Sequence, residues 1–305
     1  KPINGLTVVE RLTTMGRRDG SQYELFDDRL ASTCEPALAT EGRHDIRGLS
    51  YEDDEALRQA KGILEHPSLA AKITSIIGIP IEKGFALLPA KWSEMVTYAT
   101  STALELALSV ALLTVNDRGR QASSDLLHKL AVATSGAAGG LFGLPALAVE
   151  LPVSTTVMLR SIADIARSEG ERLTSPESKL ACLEVFAFGG PSYSDNATRT
   201  GYFAIRASLA RAVSEAAQHL AQKGVAQEGA PTLVRFLTQV ASRFGVAVSE
   251  KLAAQAVPVI GAVGGALINS IFMDHFQDMA RGHFIIRRLE RTYDPERIKS
   301  AYDKL

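Results

Sequence analysis

Cysteine is nearly absent from this 305-residue chain, which contains only Cys34 and Cys182. Neither residue belongs to a CxxC pair or to a spacing typical of zinc sites, so we predict no disulfide framework and no cysteine-based metal centre. Within the chain there is also no basic, apolar, small-residue pattern of a targeting segment. We therefore expect a cytoplasmic protein, either free or peripheral at the inner face of a membrane.

Aromatic residues and net charge are scarce as well. Phe, Trp and Tyr make up 6% of the chain, and 33 basic against 34 acidic residues leave a formal net charge of −1. This balance gives no overall field that would attract nucleic acid, so we predict no nucleic-acid partner. The hydrophobic residues are mainly Ala, Leu, Val and Ile, and Ala and Leu are strong helix formers. The composition therefore predicts an all-α protein.

The familiar catalytic motifs are missing too. The chain contains no GxSxG nucleophile elbow, no GxxxxGK[ST] phosphate loop and no HExxH zinc motif. Each of these motifs fixes a reactive side chain, a phosphate cradle or a pair of metal ligands at a defined spacing. The sequence accordingly indicates no cofactor and no metal site, and it leaves the question of catalysis open.

A change of pattern at residue 50 separates a polar, loop-rich N-terminal arm, residues 1–50, from a helical region. Ser50 is a good N-cap, and Asp53 and Asp54 follow in the first turn, where the helix dipole favours acidic side chains. We predict one all-α domain over residues 51–290 and a polar C-terminal tail over residues 291–305, a solvated helix followed by a loose end.

Prolines divide the predicted domain into separate helices. Proline lacks the amide proton and clashes with the preceding helical turn, so it normally ends a helix. We expect breaks of this kind at Pro80, Pro89, Pro145, Pro152 and Pro258.

Two apolar segments, in the 130s and the 260s, are unusually rich in glycine and alanine. Glycine costs roughly 1 kcal/mol in a helix interior, which favours a role in close backbone packing. Gly136 and Gly140 are four residues apart, as are Gly261 and Gly265, so each pair lies on one helical face. We predict that these two segments pack against each other at the centre of the fold.

The second of these segments also raises the question of a membrane span. Residues 252–273 are 22 residues without an ionisable side chain, which is long enough to cross a bilayer. However, Gly, Ala, Asn, Ser and Pro258 make the segment only moderately hydrophobic, which is atypical of a span. We favour a buried helical hairpin, or one that dips reversibly into a bilayer.

Polar residues on two predicted helices are candidates for a ligand site. Arg160 and Asp164 are four apart and form either a solvated ion pair or a pocket that holds a carboxylate or phosphate. Asn269 is predicted to be buried, bonding a neighbouring helix end or the Arg160–Asp164 pair. The remaining candidates share one helix, with an acidic and basic face opposite a histidine face: Asp274, His275, Asp278, Arg281 and His283.

Two stretches of the chain resemble the EcsC protein family. They are "SGAAGGLFGLPALAVELPVSTTVMLRSIADIARSEG" at 135–170 and "AVPVIGAVGGALINSIFMDHFQDMARGHFIIRRLER" at 256–291. The resemblance covers roughly residues 80 to 290. It implies an α-helical bacterial protein linked to a transporter or to the envelope, and it supplies no catalytic residues.

Two functions of different classes follow. The favoured one is a non-enzymatic, membrane-associated accessory protein that contacts lipid, with a membrane surface and a transporter or envelope protein as partners. The alternative is a hydrolase whose site would combine Arg160, Asp164, Asn269, Asp274, His275 and Asp278. The hydrolase requires these side chains to converge, whereas the lipid-contacting protein does not.

Overall fold

A computed structural model describes residues 48–65, 69–78, 80–115, 144–190, 201–223, 230–257 and 261–305. Side-chain surroundings are described for these residues except 77, 144–146 and 261–266. All of the described residues belong to one structural unit. They contain ten α-helices and no strand, so the predicted all-α class is confirmed.

The helices are numbered in chain order, and a short 3-10 turn, Val185–Ala187, follows the sixth of them. They are α1 (Tyr51–Glu65), α2 (Leu69–Ile77), α3 (Glu82–Phe85), α4 (Trp92–Thr114), α5 (Leu144–Ser168), α6 (Pro176–Glu184), α7 (Tyr202–Lys223), α8 (Pro231–Ala256), α9 (Gly261–Thr292) and α10 (Pro295–Asp303).

Helix α1 begins where the local sequence predicts. The Ser50 hydroxyl oxygen accepts a hydrogen bond from the Asp53 backbone amide at 3.1 Å, and it donates to the Asp53 carboxylate at 2.8 Å. This exchange satisfies one of the amide groups that a helix leaves unpaired at its first turn. Three acidic residues then occupy that turn, next to the positive end of the helix dipole.

The prolines act as predicted at Pro80 and Pro89 but not at Pro152, and Pro258 lies outside the described residues. Pro80 and Pro89 lie between α2 and α4, and Pro145 is in the first turn of α5, at the start of a described segment. Pro152, in contrast, is inside the continuous helix α5, so the predicted break there is wrong. The carbonyl group that Pro152 cannot bond is that of Ala148, which is exposed and therefore open to solvent.

The core surrounds α9, which packs against α1, α2, α5, α8 and α10. Its centre is an aromatic cluster of Phe186, Phe244, Phe272 and Phe276, all almost completely buried. The rings of Phe186 and Phe244 are 4.9 Å apart, and those of Phe272 and Phe276 are 5.1 Å apart in an edge-to-face arrangement. Such contacts add to the stabilisation from burial alone.

The C-terminal residues do not form a loose end, which corrects the prediction for 291–305. Asp294 caps α10 by accepting hydrogen bonds from the amides of Glu296 and Arg297. Ile298, Ala301 and Tyr302 are buried, and α10 packs on α1 and α9. Their spacing places all three on one helical face, a pattern obscured by the alternating charges between them.

The predicted packing of the two glycine-rich segments stays a prediction. Gly136 and Gly140 lie outside the described residues, and Gly261 and Gly265 are in the first turns of α9, where surroundings are not described. Residues 252–273 are divided between α8 and α9, so no single helix carries them.

Close glycine contacts occur elsewhere in the described structure. A Cβ atom at Gly282 of α9 would lie 2.6 Å from the Leu64 side chain of α1. One at Gly84 of α3 would lie 1.9 Å from the backbone oxygen of Ala253 in α8. Glycine at these two positions lets the helices approach to a distance that any side chain would prevent.

Helix α4 is the one described helix that is both long and apolar enough to cross a membrane. Its mean hydropathy reaches 1.5, and half of the window that gives this value is buried inside the fold. Helices in protein cores meet the same criterion, so the finding concerns length and composition only.

Candidate functional site

The two candidates on α5 differ in their surroundings. Arg160 is half-buried, whereas Asp164 is exposed and forms an ion pair with Arg167 one turn later. Burial lowers the pKa of Arg160, and the carboxylate of Asp164 raises it. Asp164 therefore belongs to a surface ion pair, a type of interaction that contributes little to stability.

The acidic and basic face of α9 lies outward, and part of it bridges to α2. Asp274 and Arg281 are exposed. Asp278 accepts a hydrogen bond from Lys72 of α2 at 2.9 Å and another from Arg281 at 2.8 Å. Asp278 thus joins two helices.

Asn269 is exposed, so the prediction of a buried amide is wrong. Its side-chain oxygen accepts a hydrogen bond from Gln255 of α8 at 3.3 Å. The apolar run around Asn269 suggested burial, but its neighbours on α9 show that only one face of this helix points inward. Ile268 is fully buried, whereas Leu267 and Ser270 are exposed like Asn269.

Both histidines of α9 are buried, each against a different element. The Nε2 atom of His275 donates to the backbone oxygen of Gly189 at 2.9 Å, and Nδ1 of His283 is 2.8 Å from the hydroxyl of Tyr202. Burial lowers the pKa of His275 to about 4 and the pKa of His283 well below its ordinary value. Both rings are therefore neutral at physiological pH.

These contacts separate the residues of the hydrolase hypothesis. Asn269 bonds to α8, His275 to the turn at Gly189, Asp278 to α2 and His283 to α7. His275 and Asp278 are close enough to interact electrostatically, but each is held by a different element, and no contact among these side chains in the described residues forms a nucleophile–base pair. In the described structure, the candidates on α9 therefore do not form a single catalytic constellation.

A buried carboxylate at Glu171 organises a polar cluster that sequence reasoning missed. Glu171 follows α5 and accepts hydrogen bonds from Arg287 at 2.7 Å, from Ser178 at 2.7 Å and from Arg291. Burial raises the pKa of Glu171, but the bonds and charges of Arg287, Ser178 and Arg291 outweigh it and leave the pKa below its usual range. The carboxylate is ionised and joins the end of α5 to α6 and α9.

A second ion pair lies on the other side of the same α9 segment. Arg206 of α7 donates to both carboxylate oxygens of Glu290, at 2.7 and 3.0 Å. Nearby Glu184 is almost fully buried, and burial raises its pKa to about 7 although Arg206 and Arg287 act in the opposite direction. The charged groups of this cluster bind one another, so its main role is to fix α7 and the α5–α6 connection against α9.

An open groove of about 450 Å³ lies between α4 and α8. Phe85 and Trp92 form its aromatic part, with ring centroids 5.7 Å apart, and Val96, Ala241 and Val246 add aliphatic surface. The volume lies in the range of small-molecule sites, which are concave and mostly apolar. The groove is therefore a candidate ligand site in the described structure.

Three hydroxyl groups along the groove already donate hydrogen bonds within their own helices. Thr97 donates to the Ser93 backbone oxygen at 2.9 Å, Thr238 to that of Val234 at 2.8 Å, and Ser249 to that of Gly245 at 2.6 Å. Each hydroxyl proton is thus used within its own helix, as is common for Ser and Thr in helix interiors.

Glu250 is the one ionisable side chain that lines the groove, and it is 3% exposed. The Ala70 backbone amide of α2 bonds its carboxyl group, while the Oε2 atom is buried and finds no hydrogen-bond partner among the described residues. Burial raises the pKa of Glu250 to about 7. Near pH 7 the carboxyl group of Glu250 is therefore present in both its neutral and its ionised form.

A comparison with protein-family models matches residues 53–289 to the model described as the EcsC protein family. The chain belongs to the EcsC protein family. No curated protein and no solved structure matches the chain.

The part of this EcsC protein that matches the family model includes both the groove and most of the polar cluster, but it ends within α9, before α10. In the residues that the structure describes, no group of three or more His, Cys, Asp and Glu side chains is placed to hold a metal ion.

One sequence pattern on α8 matches the position of the groove. Small residues recur on α8 at positions 238, 241, 242, 245 and 249, the spacing of one helical face. A stripe without large side chains leaves space against a neighbouring helix. The partner helix, α4, cannot be identified from that stripe alone.

Proposed function

We propose that this EcsC protein is a non-enzymatic, membrane-associated accessory protein that contacts lipid. The observation that carries the proposal is the exposed apolar side of α4. Tyr98 is 67% exposed, Leu106 38% and Leu113 71%, on a helix whose length and hydropathy suit a bilayer. Single exposed apolar residues are normal in soluble proteins, but three on one apolar helix favour contact with a membrane.

The arrangement of these residues supports attachment to one leaflet. At 100° per residue, Tyr98, Leu106 and Leu113 fall within about 80° of the helix circumference. Glu94 and Glu105 are also exposed on α4, and carboxylates are costly at the centre of a bilayer. On the same scale Glu94 and Glu105 lie about 40° and 20° beyond Tyr98, at the edge of the apolar face. A helix that lies in the interface keeps charges at that edge among the head groups while Leu106 and Leu113 enter the lipid.

The proposed location is the cytoplasmic side of a membrane, and the proposed protein partner is a transporter or another envelope component. The location is the expectation drawn from the sequence, and the partner follows from the family resemblance. The divergence of the polar candidates on α9, together with the mutual pairing of the buried charges around Glu171 and Glu290, favours a non-enzymatic role.

The test is co-sedimentation of the purified protein with phosphatidylcholine–phosphatidylglycerol vesicles. The double variant Leu106→Ser and Leu113→Ser should reduce the bound fraction at least tenfold, because each leucine that leaves lipid forfeits about 1 kcal/mol or more. The matched control replaces two exposed apolar residues of other helices, Ile76→Ser and Val234→Ser, and should bind like the parent.

Failure of the parent protein to sediment with vesicles overturns the proposal. Equal loss of binding in both double variants does so as well, because it would indicate general hydrophobic adhesion without a role for α4.

A further inference from the structure

The groove between α4 and α8 has a defined direction. Gly84 of α3 contacts Ala253 at one end, while Gly245 faces Val96 and Thr100 of α4 farther along, so the chain from α3 into α4 runs in the opposite direction to α8. Phe85 and Trp92 therefore lie toward the Glu250 end of the groove, and Ser101 and Thr238 lie at the other end. An elongated ligand would have its two ends in chemically different surroundings.

Space in the groove is kept open at Gly245, inside helix α8. A Cβ atom there would lie 3.9 Å from Thr100 Oγ1 and 4.0 Å from Val96 Cγ1, which is ordinary van der Waals separation. A larger side chain would enter the groove itself. Glycine in a helix interior costs roughly 1 kcal/mol relative to alanine, and no close backbone contact explains it at this position.

The unsatisfied oxygen of Glu250 indicates what the groove would bind at this end. A buried acceptor without a partner is costly, and such atoms in native structures call for a specific explanation. Lys251, the next residue, does not supply a donor, because its ammonium group pairs with Glu150 at 2.5 Å. The Oε2 atom has almost no solvent contact in the described structure, so a donor on a molecule in the groove reaches it once the Glu250 side chain, which lines the groove, turns toward that molecule.

We propose that the groove binds a single-chain amphiphile whose head group donates a hydrogen bond to Glu250, and that a protonated amine is the strongest such head group. The alkyl chain lies between Trp92 and the small residues of α8, and the head group meets the Glu250 carboxyl. This inference rests on the proposed lipid contact for the ligand class and goes beyond it by naming a site and a head-group chemistry.

Charge decides between head groups. An ammonium pairs with the ionised carboxylate and makes a charge-assisted hydrogen bond, which is about twice as strong as a neutral one. A hydroxyl head donates to either form of Glu250. A carboxylate or phosphate head would place like charges together in a site of low dielectric, which disfavours binding.

The experiment uses Trp92, the single tryptophan of the chain, as the reporter. The purified protein is titrated with decylamine, decanol and decanoate at concentrations below micelle formation, and the tryptophan emission is recorded. Decylamine should bind most tightly, decanol next, and decanoate at least tenfold more weakly than decylamine.

Three variants locate the site. Glu250→Gln keeps the shape of the side chain and should weaken decylamine about tenfold while changing decanol less than about threefold. Gly245→Leu fills the groove and should weaken all three probes. The control is Gly62→Leu, because Gly62 is a helical glycine too but is exposed, away from the groove, with no atom within 4 Å of its Cβ position, and this variant should bind like the parent.

The proposal is overturned if no probe changes the Trp92 emission and equilibrium dialysis detects no binding, if decanoate binds as tightly as decylamine, or if Gly245→Leu binds normally. These titrations contain no vesicles. Binding of decylamine by a protein that does not sediment with vesicles would therefore leave this site intact and refute only membrane attachment.

Discussion

Gly84 of α3 lies directly against the backbone carbonyl group of Ala253 in α8, at a distance that leaves no room for a Cβ atom. The obstacle is main chain, which cannot rotate away as a flexible side chain does. The contact fixes α3 and the start of the groove against α8.

Replacing Gly84 with alanine should therefore destabilise the protein by about 1–3 kcal/mol or more, because one helix must move away from the other. Gly62→Ala on α1 is the control, since nothing lies near its Cβ position, and it should stabilise by roughly 0.5–1 kcal/mol. Urea denaturation measures both changes. Equal shifts in the same direction would contradict the packing at Gly84.

Glu171→Gln should cost about 3 kcal/mol of folding free energy. The substitution removes the negative charge that Arg287 and Arg291 share, and breaking a buried pair leaves an uncompensated charge inside the protein. The control is Glu215→Gln, which also loses two arginine partners, Arg211 and Arg235, but at the exposed surface. Its unfolding midpoint should stay near that of the parent.

Glu184 should make the protein less stable as the pH rises. Burial raises the pKa of Glu184 to about 7, with Arg206, Arg287 and Glu290 as its charged neighbours, whereas the unfolded chain has an ordinary pKa near 4.5. Between these values the unfolded state ionises while the folded state holds its proton, so stability falls as pH rises through this range. Glu184→Gln should remove that loss, a gain of about 3 kcal/mol at pH 8 and much less at pH 4.5. Urea midpoints of parent and variant that differ equally at both pH values would contradict this assignment.

His275 should act in the opposite direction. Burial lowers its pKa to about 4, and Lys72 lowers it further, against the raising effects of the Gly189 carbonyl and Asp278. The contribution of His275 to the free energy of unfolding is therefore fully present above pH 6.5, the pKa of histidine in the unfolded chain. It decreases by about 3 kcal/mol as the pH falls from there toward 4. His275→Gln retains a donor for Gly189 and should flatten this acid limb in pH-dependent thermal melts. Parallel acid limbs in parent and variant would refute it.

Local features of the fold were predictable from the sequence, and long-range ones were not. The Ser50 cap depends on residues three apart, and the breaks at Pro80 and Pro89 depend on the residue type, so both are encoded locally. The tolerance of Pro152 depends on the exposure of Ala148, a property of the packed helix. The exposure of Asn269 likewise depends on which face of α9 meets the core.

The candidate site illustrates the same limit. The histidines of α9 could be named from the sequence, but their partners Gly189 and Tyr202 are more than 80 positions away. The groove requires α4 and α8 to lie antiparallel, a relationship for which neither helix carries a pattern. The ion pair between Arg206 and Glu290 likewise cannot be predicted from the sequence without knowing which helices are neighbours.

The contact between α1 and the C-terminal helices has a consequence for synthesis of the protein. Lys61 of α1 donates to the backbone oxygen of Tyr302, 241 positions later. At about 5–20 residues per second, a ribosome needs roughly ten seconds to a minute to make the intervening chain. During that interval Leu57 and Ala60, buried in the folded protein, have no α9 or α10 to cover them. The α1 segment therefore cannot reach its folded packing before synthesis of the chain is nearly complete.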